Sequence, residues 1–261
     1  MRSISAQSLA EMGGGGSVLA RQKRDHIRLD GLLQRLGESP AERQGAVLLD
    51  IYRLVFPHAF AEEAVLWPVI RRVLADGQAL TLQVELEHQR INELVTELEG
   101  LEPGSPRHRQ VLDQVVGLLR EDVRDEEDVL LPRLQARLTG AQLRLLGLAW
   151  EAVRTIAPTR AHPIVGRRPP GNVLSALPLA LLDRLRDLVD RRLHSGATAP
   201  ALASLSRGMA RASHAVERLP GMRRGEDPAT RVGARGGARW GAAALIALGL
   251  ATAFVLTSRR K

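Results

Sequence analysis

The chain has 261 residues, enough to bury a core in one or two domains, and few aromatics (3%) beside abundant Leu, Ala, Arg and Glu, a composition that favours helix over sheet. It has no cysteine, which excludes disulfides and thiolate metal sites, so a bound metal must be held by histidine and carboxylate side chains. Residues 1–139 carry 17 Lys and Arg against 22 Asp and Glu, whereas residues 140–261 carry 20 against 7. Because this basic excess lies in a Gly- and Arg-rich tail without a recognised binding motif, we do not expect nucleic-acid binding despite the net charge of +8.

The first 17 residues are polar and end in four glycines at 13–16, which predicts a disordered N-terminus, since glycine loses the most backbone entropy on ordering. They contain no apolar run typical of a signal peptide. We therefore expect the domain that follows to stay in the cytoplasm.

Five segments have apolar residues at helical spacing, and they lie within residues 18–156. They cover residues 18–36, 41–75, 78–100, 105–138 and 141–156. Pro57 and Pro68 fall inside the second segment, where each favours a bend. Short loops make neighbouring helices antiparallel, so we predict an antiparallel four-helix bundle, with the fifth helix covering one end or side.

The chain repeats itself at an interval of 64 residues. The stretch HAFAEEAVLWP at 58–68 is matched by DVRDEEDVLLP at 122–132, and Asp122 stands where the first copy has His58. The stretch that begins at His26 resembles the one that begins at His88 in the same way. Two similar helical hairpins are therefore joined in tandem.

Each of the four bundle helices carries two polar residues one turn apart, which face the same side of the helix. These pairs are His26 with Asp30, His58 with Glu62, His88 with Asn92, and Asp122 with Glu126. A bundle core allows such pairs to converge on two metal ions. Imidazoles and carboxylates without sulfur suit a non-haem iron pair, with manganese as the alternative.

Other polar residues near these pairs receive different predictions. Asp30 and Asn92 are expected to be exposed or to support the ligands, and Glu63 and Glu127 to face solvent or support them. Asp122 is either a ligand or part of a solvated helix face. Four histidines have no partner at metal-binding spacing and are expected to be structural or exposed: His108, His162, His194 and His214.

The motif His-x-x-x-Glu-Glu-x-x-Leu-aromatic-Pro at 58–68, with a histidine on the helix before it and another on the helix after it, resembles the hemerythrin-like HHE cation-binding domain. The resemblance covers about residues 18–156, and residues 158–172 resemble the linker that follows this domain in actinobacterial members. It implies a carboxylate-bridged di-iron centre that binds O2, senses oxygen or iron, or processes peroxide or NO. The iron ligands that it implies are His26, His58, Glu62, His88 and Glu126.

Asp122 departs from the family pattern, which has histidine at this position. We include Asp122 among the predicted ligands, in place of that histidine. The open alternative is that one iron loses a ligand.

Beyond the fifth helix we predict a largely flexible linker at 157–238. It contains amphipathic stretches at 173–193 and 200–219 that either dock on the bundle or lie on a membrane. Residues 240–257 carry no charge and are just long enough to cross a bilayer as a helix. This run predicts a single transmembrane helix at 239–258, followed by a basic tail at 259–261, with the bundle on the cytoplasmic side.

The sequence therefore predicts a membrane-tethered di-iron protein that binds O2 or a related small oxidant, as a sensor, carrier or redox protector rather than an enzyme. One alternative is a metal-poor helical interaction module in which Asp122 marks a degenerate iron site. Another is a di-iron peroxidase or oxidase, which needs a reductant path that no sequence feature shows. The oligomeric state is left open.

Overall fold

A computed structural model describes residues 1–195 and 200–232, and within these residues all regular structure is helical. Nine α-helices are present in this part of the chain: α1 Val18–Glu38, α2 Ala41–Ala61, α3 Trp67–Val73, α4 Gly77–Glu99, α5 Pro106–Asp125, α6 Leu131–Gln135, α7 Gly140–Ile156, α8 Gly171–His194 and α9 Pro200–Glu217. Two π-helical segments, Glu62–Leu66 and Glu126–Leu130, join α2 to α3 and α5 to α6. Short 3-10 turns lie at Ile4–Ala6, Pro220–Arg223 and Pro228–Thr230.

Several helix starts follow signals in the sequence. Ser105 caps α5 by accepting a hydrogen bond from the His108 backbone N–H, and proline follows it at the first helical position. Thr139 forms a full capping box with Gln142 at the start of α7. α2 begins directly after Pro40, and no side chain of the described residues caps it with a hydrogen bond.

The bundle is formed by α1, α2 with α3, α4, and α5 with α6, and α7 packs across α1 and α2. Its core consists of two apolar clusters at opposite ends. One cluster includes Leu32, Leu36, Ile51, Leu94 and Val111. The other includes Leu66, Trp67, Ile70, Leu131 and Trp150. His26, His58, His88 and Asp122 each lie where their helix passes from one cluster to the other, so the bundle has a polar layer across its middle.

The π-helical segments occupy the same place in the two sequence repeats. The backbone N–H of Trp67 donates to the carbonyl of Glu62, five residues earlier, and Leu131 donates to Glu126 in the same way. The wider turn lets two adjacent side chains face inward, and Glu62 and Glu63 are both buried. The predicted second and fourth helices are therefore each divided by a π segment, whereas α2 continues through Pro57 to its end.

The N-terminal segment packs on the bundle, so the prediction of a disordered N-terminus is wrong. Ile4 and Met12 are fully buried in the cluster that contains the two bundle tryptophans. Lys23 of α1 donates to the backbone carbonyls of Ser5 and Gln7. The glycines dominated the sequence prediction, but the two apolar side chains find a site at the end of the bundle, and their burial favours order.

Residues 157–195 and 200–232 also pack, so the predicted flexible linker is wrong. Helices α8 and α9 pack against each other, and α8 also packs on α2 and α7. The segment before α8 is buried at Thr159, Arg160, His162 and Arg167. A composition rich in proline, glycine and arginine resembled a linker, but its cations have buried carboxylate partners in α8, α9 and the bundle.

The predicted fold class also needs correction at its membrane segment. Within residues 1–195 and 200–232, no helix has the length and apolar character required to cross a membrane. The span predicted at 239–258 lies outside the described residues. The fold of the described residues is thus a helical bundle with packed N- and C-terminal extensions, while the predicted domain boundaries and cellular location stay predictions.

Candidate metal centre

The six predicted metal ligands meet in the polar layer of the bundle. Four distances join them: His58 Nε2 to Glu62 Oε1, 3.2 Å; His26 Nε2 to Glu126 Oε2, 3.3 Å; His88 Nε2 to Asp122 Oδ1, 3.5 Å; and His88 Nε2 to Glu62 Oε2, 3.7 Å. Glu62 and Glu126 are almost completely buried. Two of the four helices each supply two of these ligands and the other two each supply one, and the fold brings all of them to one place.

Two overlapping groups of these side chains have the geometry of a cation site. In each group, one ligand atom per residue lies within 4.8 Å of the others: His26, His58 and Glu126 in the first group, and Glu62, His88 and Glu126 in the second. Glu126 belongs to both groups, so its carboxylate is shared between them. Asp122 lies beside His88 and faces the second group.

The inward-facing atoms find no hydrogen-bond partner among residues 1–195 and 200–232. These buried atoms are both carboxylate oxygens of Glu62, Oε1 of Glu126, Oδ1 of Asp122, and Nε2 of His26 and His88. A buried polar atom without a partner costs about 1–3 kcal/mol, and more when it is charged. Metal coordination would satisfy these atoms together, so the donor set fits one or two cations that prefer nitrogen and oxygen ligands.

Each of the three histidines directs its other ring nitrogen at a carboxylate. The Nδ1 contacts are His26 to Glu127 at 2.9 Å, His58 to Asp25 at 3.3 Å, and His88 to Glu63 at 3.0 Å. Such carboxylate partners fix the ring orientation and leave Nε2 free to bind metal. Glu63 and Glu127 therefore support the ligands, which was one of their two predicted roles.

The sequence prediction did not identify Asp25. A signal was present, because Asp25 directly precedes His26, and Glu87 directly precedes His88 at the matching position of the repeat. The pairing of Asp25 with His58 crosses from α1 to α2, so the spacing within either helix does not reveal it.

Two fully buried tryptophans flank the histidines. The Trp150 ring lies edge-on to the His58 ring, with centroids 5.3 Å apart, and Trp67 stacks on His88 at 6.3 Å. These rings restrict rotation of the imidazoles. They also exclude water on the side of the polar layer that faces the apolar cluster containing Leu66 and Trp67.

The carboxylates strongly perturb the ionisation of this layer. Burial disfavours the charged form of His26, but Glu126 and Glu127 outweigh burial and raise its pKa to about 9. Glu62 and Asp25 likewise outweigh burial at His58 and raise its pKa to about 10. Burial, together with the charges of Glu62 and Asp122, raises the pKa of Glu126 to about 8. Metal binding must displace these protons, so metal affinity should increase with pH.

Asp122 faces inward, but the supporting carboxylate of its half of the repeat has no histidine to bind. One buried oxygen of Glu87 has no hydrogen-bond partner in the described part of the chain, and burial together with the charge of Asp122 raises the pKa of Glu87. In the first half, the equivalent Asp25 accepts a hydrogen bond from Nδ1 of His58. The second half has therefore kept the carboxylate and lost the imidazole.

The remaining polar residues lie outside the ligand set. Asp30 is exposed and accepts a hydrogen bond from Gln34. Asn92 is buried, with Nδ2 donating to the His88 carbonyl and Oδ1 accepting from the backbone N–H of His162. His162 is buried between two carboxylates, a contact with distant parts of the chain that spacing could not show.

A cleft between α1 and α5 leads to the polar layer. His26 and Glu127 lie among its lining residues, and Leu33 is part of one wall. A smaller cavity against His26, His58 and Asp122 shares lining residues with the cleft. The shared residues are His26, Leu29, Leu119 and Val123. The cleft and the cavity thus lie next to each other beside the first ligand group, and the cleft also carries the charged side chains of Lys23, Asp30 and Arg120.

Comparisons with known proteins agree with this geometry. Residues 17–134 match the sequence model of a protein family, the hemerythrin HHE cation binding domain. The chain is 24% identical over 135 residues to an uncharacterized hemerythrin-like protein of Schizosaccharomyces pombe, an alignment that covers 51% of this chain and 66% of that protein. It is also 24% identical over 132 residues to a protein of Nostoc sp. named DNA nickase, covering 50% of this chain and 37% of that one. The chain thus spans less than two thirds of either relative, and no solved structure matches it.

Proposed function

We propose that this chain, whose residues 17–134 form a cation-binding domain of the hemerythrin HHE family, holds a non-haem iron pair and binds O2 or a related small oxidant beside it. Cation binding follows from the family. The pairing of two irons and the identity of the small ligand are the proposed parts. The observation that carries the proposal is the set of buried, partnerless ligand atoms from four helices, arranged in two groups that share Glu126.

The residues have distinct roles in this proposal. His26 and His58 would hold one iron, His88 and Asp122 the other, and Glu62 and Glu126 would lie between them. Three carboxylates among six ligands offset most of the charge of two divalent ions, which makes the buried pair electrostatically acceptable. Manganese suits the same donors and is the alternative metal.

The surroundings favour a small ligand over a large substrate at the metals. Iron, when bound, supplies electrons and open coordination positions for such a ligand. The cavity beside His26 and His58 is lined mainly by leucine, valine and alanine, which admit an apolar diatomic molecule and disfavour bulk water. A sensor, a carrier and a redox protector all need this binding step, and the residues described here serve it without assigning one of the three.

The test uses the full chain loaded with Fe(II) without oxygen and then exposed to air. We expect about two irons per chain and a visible absorption band that appears with oxygen, both strongly reduced in His58→Ala. The matched control is His108→Ala, which removes a buried histidine far from the polar layer and should retain the iron. Absence of iron from the unmodified protein, or equal iron in His58→Ala, would contradict the proposal and favour a metal-poor interaction module.

A further inference from the structure

The two halves of the metal centre differ in what lies behind their supporting carboxylates. Glu127, which orients His26, has a side chain 13% exposed and lines the cleft. Glu63, which orients His88, is 2% exposed and lies under residues 157–170, a segment that we call the strap. The sequence repeat relates the two glutamates to each other, so this difference arises from the chain outside the repeat.

Arg167 of the strap is placed beside Glu63. Its Nη1 lies 3.8 Å from Glu63 Oε1, and Arg167 itself is buried. Its Nε donates to Gln89 Oε1 at 3.0 Å, and its Nη2 donates to the His162 carbonyl at 3.1 Å. These bonds hold the guanidinium in place. Among the described residues, no arginine or lysine forms an ion pair with Glu127, whose partner is His26.

The strap also forms hydrogen bonds with α4, the helix that carries His88. The backbone N–H of His162 donates to Asn92 Oδ1 at 2.9 Å, and Asn92 Nδ2 donates to the His88 carbonyl at 2.8 Å. The side chain of Gln89 donates to the Pro163 carbonyl at 2.9 Å. The strap therefore binds Gln89 and Asn92 directly, and Asn92 in turn binds the backbone carbonyl of His88.

The strap is in turn fixed to α8 and α9. The buried Arg160 forms ion pairs with Asp187 and with the partly buried Asp190 of α8. The His162 ring lies between Asp183 of α8 and Glu217 of α9, at 2.9 Å from each. A continuous series of polar contacts thus runs from α8 and α9 through the strap to the His88 side of the metal centre.

We propose that Arg167 is a positioning residue for His88, through which the packed C-terminal helices control metal binding in one half of the centre. Its positive charge compensates the buried Glu63 carboxylate and keeps that carboxylate directed at His88 Nδ1, which leaves Nε2 facing the metals. The inference rests on the proposed iron function and deepens it by assigning a regulator to one metal position. The half that contains His26 and His58 is independent of this control.

The test compares Arg167→Gln with Arg168→Gln in the full chain. Arg168 is the neighbouring strap arginine, pairs with Glu85 and Asp227 instead of Glu63, and gives the same loss of charge. Fe(II) binding is titrated without oxygen by equilibrium dialysis. In Arg167→Gln we expect about tenfold weaker binding of one of two irons, the size typical of lost support behind a ligand, whereas Arg168→Gln should bind like the unmodified protein.

Further variants separate positioning from a general loss of folding. Arg167→Lys keeps a cation and should recover part of the affinity. Glu63→Gln should weaken the same iron, and adding Arg167→Gln to it should cause little further loss, because the two residues act in one series. The comparison of Glu63→Gln with the double variant also tests the inference if Arg167→Gln alone fails to fold.

The possible outcomes test the role of Arg167 separately from the proposed iron function on which it rests. Two irons bound equally well by the unmodified protein and Arg167→Gln would overturn the inference and leave the proposed function intact. Equal weakening by Arg167→Gln and Arg168→Gln would overturn it too, since the strap would then act only through general packing. No iron in the unmodified protein would overturn both.

Discussion

Asp122 shows how a single residue can alter one half of a duplicated site while the rest of that half persists. Its carboxylate faces His88 in the buried layer, so it is not part of a solvated helix face. Glu87 remains beside it in the place where Asp25 supports His58. The second half therefore pairs two carboxylates where the first half pairs a carboxylate with an imidazole, and like charges in a buried layer disfavour each other.

Asp122→His should strengthen iron binding in this half by about tenfold, because the new imidazole can bind metal while Glu87 accepts its other ring N–H. Fe(II) titration of the full chain measures the change. The double variant Asp122→His with Glu87→Gln should lack most of the gain, since it removes the support. Unchanged affinity in Asp122→His would show that aspartate already serves fully as the ligand.

At the scale of the element, the two π-helical segments bring paired glutamates into the centre. Glu62 and Glu63 are adjacent and yet both buried, one with its oxygens toward the metal ligands and the other on His88 Nδ1. A regular α-helix turns by about 100° per residue and would direct two adjacent side chains to different faces. Proline follows each segment, at 68 and 132, and cannot donate a backbone hydrogen bond, so it suits a place where the helical bonding pattern changes.

Deletion of Ala64 removes the extra residue of the first π segment, so α2 and α3 can join as one regular α-helix. Adjacent side chains of a regular helix lie about 100° apart, so Glu62 and Glu63 could no longer both face inward. We expect this variant to lose most of its Fe(II) binding, as measured by titration of the full chain. Deletion of the exposed Glu38, beside the loop between α1 and α2, is the control and should retain binding. Equal Fe(II) binding by the two deletion variants would show that the π turn does not position the two glutamates.

At the scale of the whole molecule, the bundle and the C-terminal helices are joined through buried charge. His162 lies between Asp183 and Glu217, which outweigh its burial and raise its pKa to about 10. Glu217 is buried too, but hydrogen bonds from His162 and His214 hold its pKa at about 2. The two shifts describe largely one interaction, which is strongest when the imidazole is protonated and the carboxylates are ionised.

His162→Gln should lower the free energy of unfolding by about 3 kcal/mol near pH 6, the cost typical of breaking a buried ion pair. Because the histidine pKa is higher in the folded protein than its usual 6.5, its contribution is complete below pH 6.5 and is lost as the pH rises through about 10. The difference between the unmodified protein and the variant should therefore shrink from pH 6.5 to pH 10, as measured by urea unfolding. His108→Gln is the control, a buried histidine that pairs with no carboxylate of residues 1–195 and 200–232. A difference that stays constant over this pH range would contradict an ionic role for His162.

The sequence by itself determined the five bundle segments and the inward-facing residues that meet in the polar layer. Both depend on local spacing: apolar residues recur with the period of a helix, and residues four apart share a face. The tandem repeat then relates the two hairpins, so that His26 corresponds to His88, Glu62 to Glu126, and His58 to Asp122.

Only the tertiary structure decided which way Asp122 faces, which carboxylate supports each histidine, and whether the chain on either side of the bundle packs. Asp25 contacts His58 from another helix, Arg167 approaches Glu63 from more than 100 residues away along the chain, and Ile4 fills a site at the bundle end. Such contacts have no period in the sequence. Whether a buried charge has a partner depends on which distant residues the fold brings beside it, and that pairing places an apparent linker against the candidate metal centre.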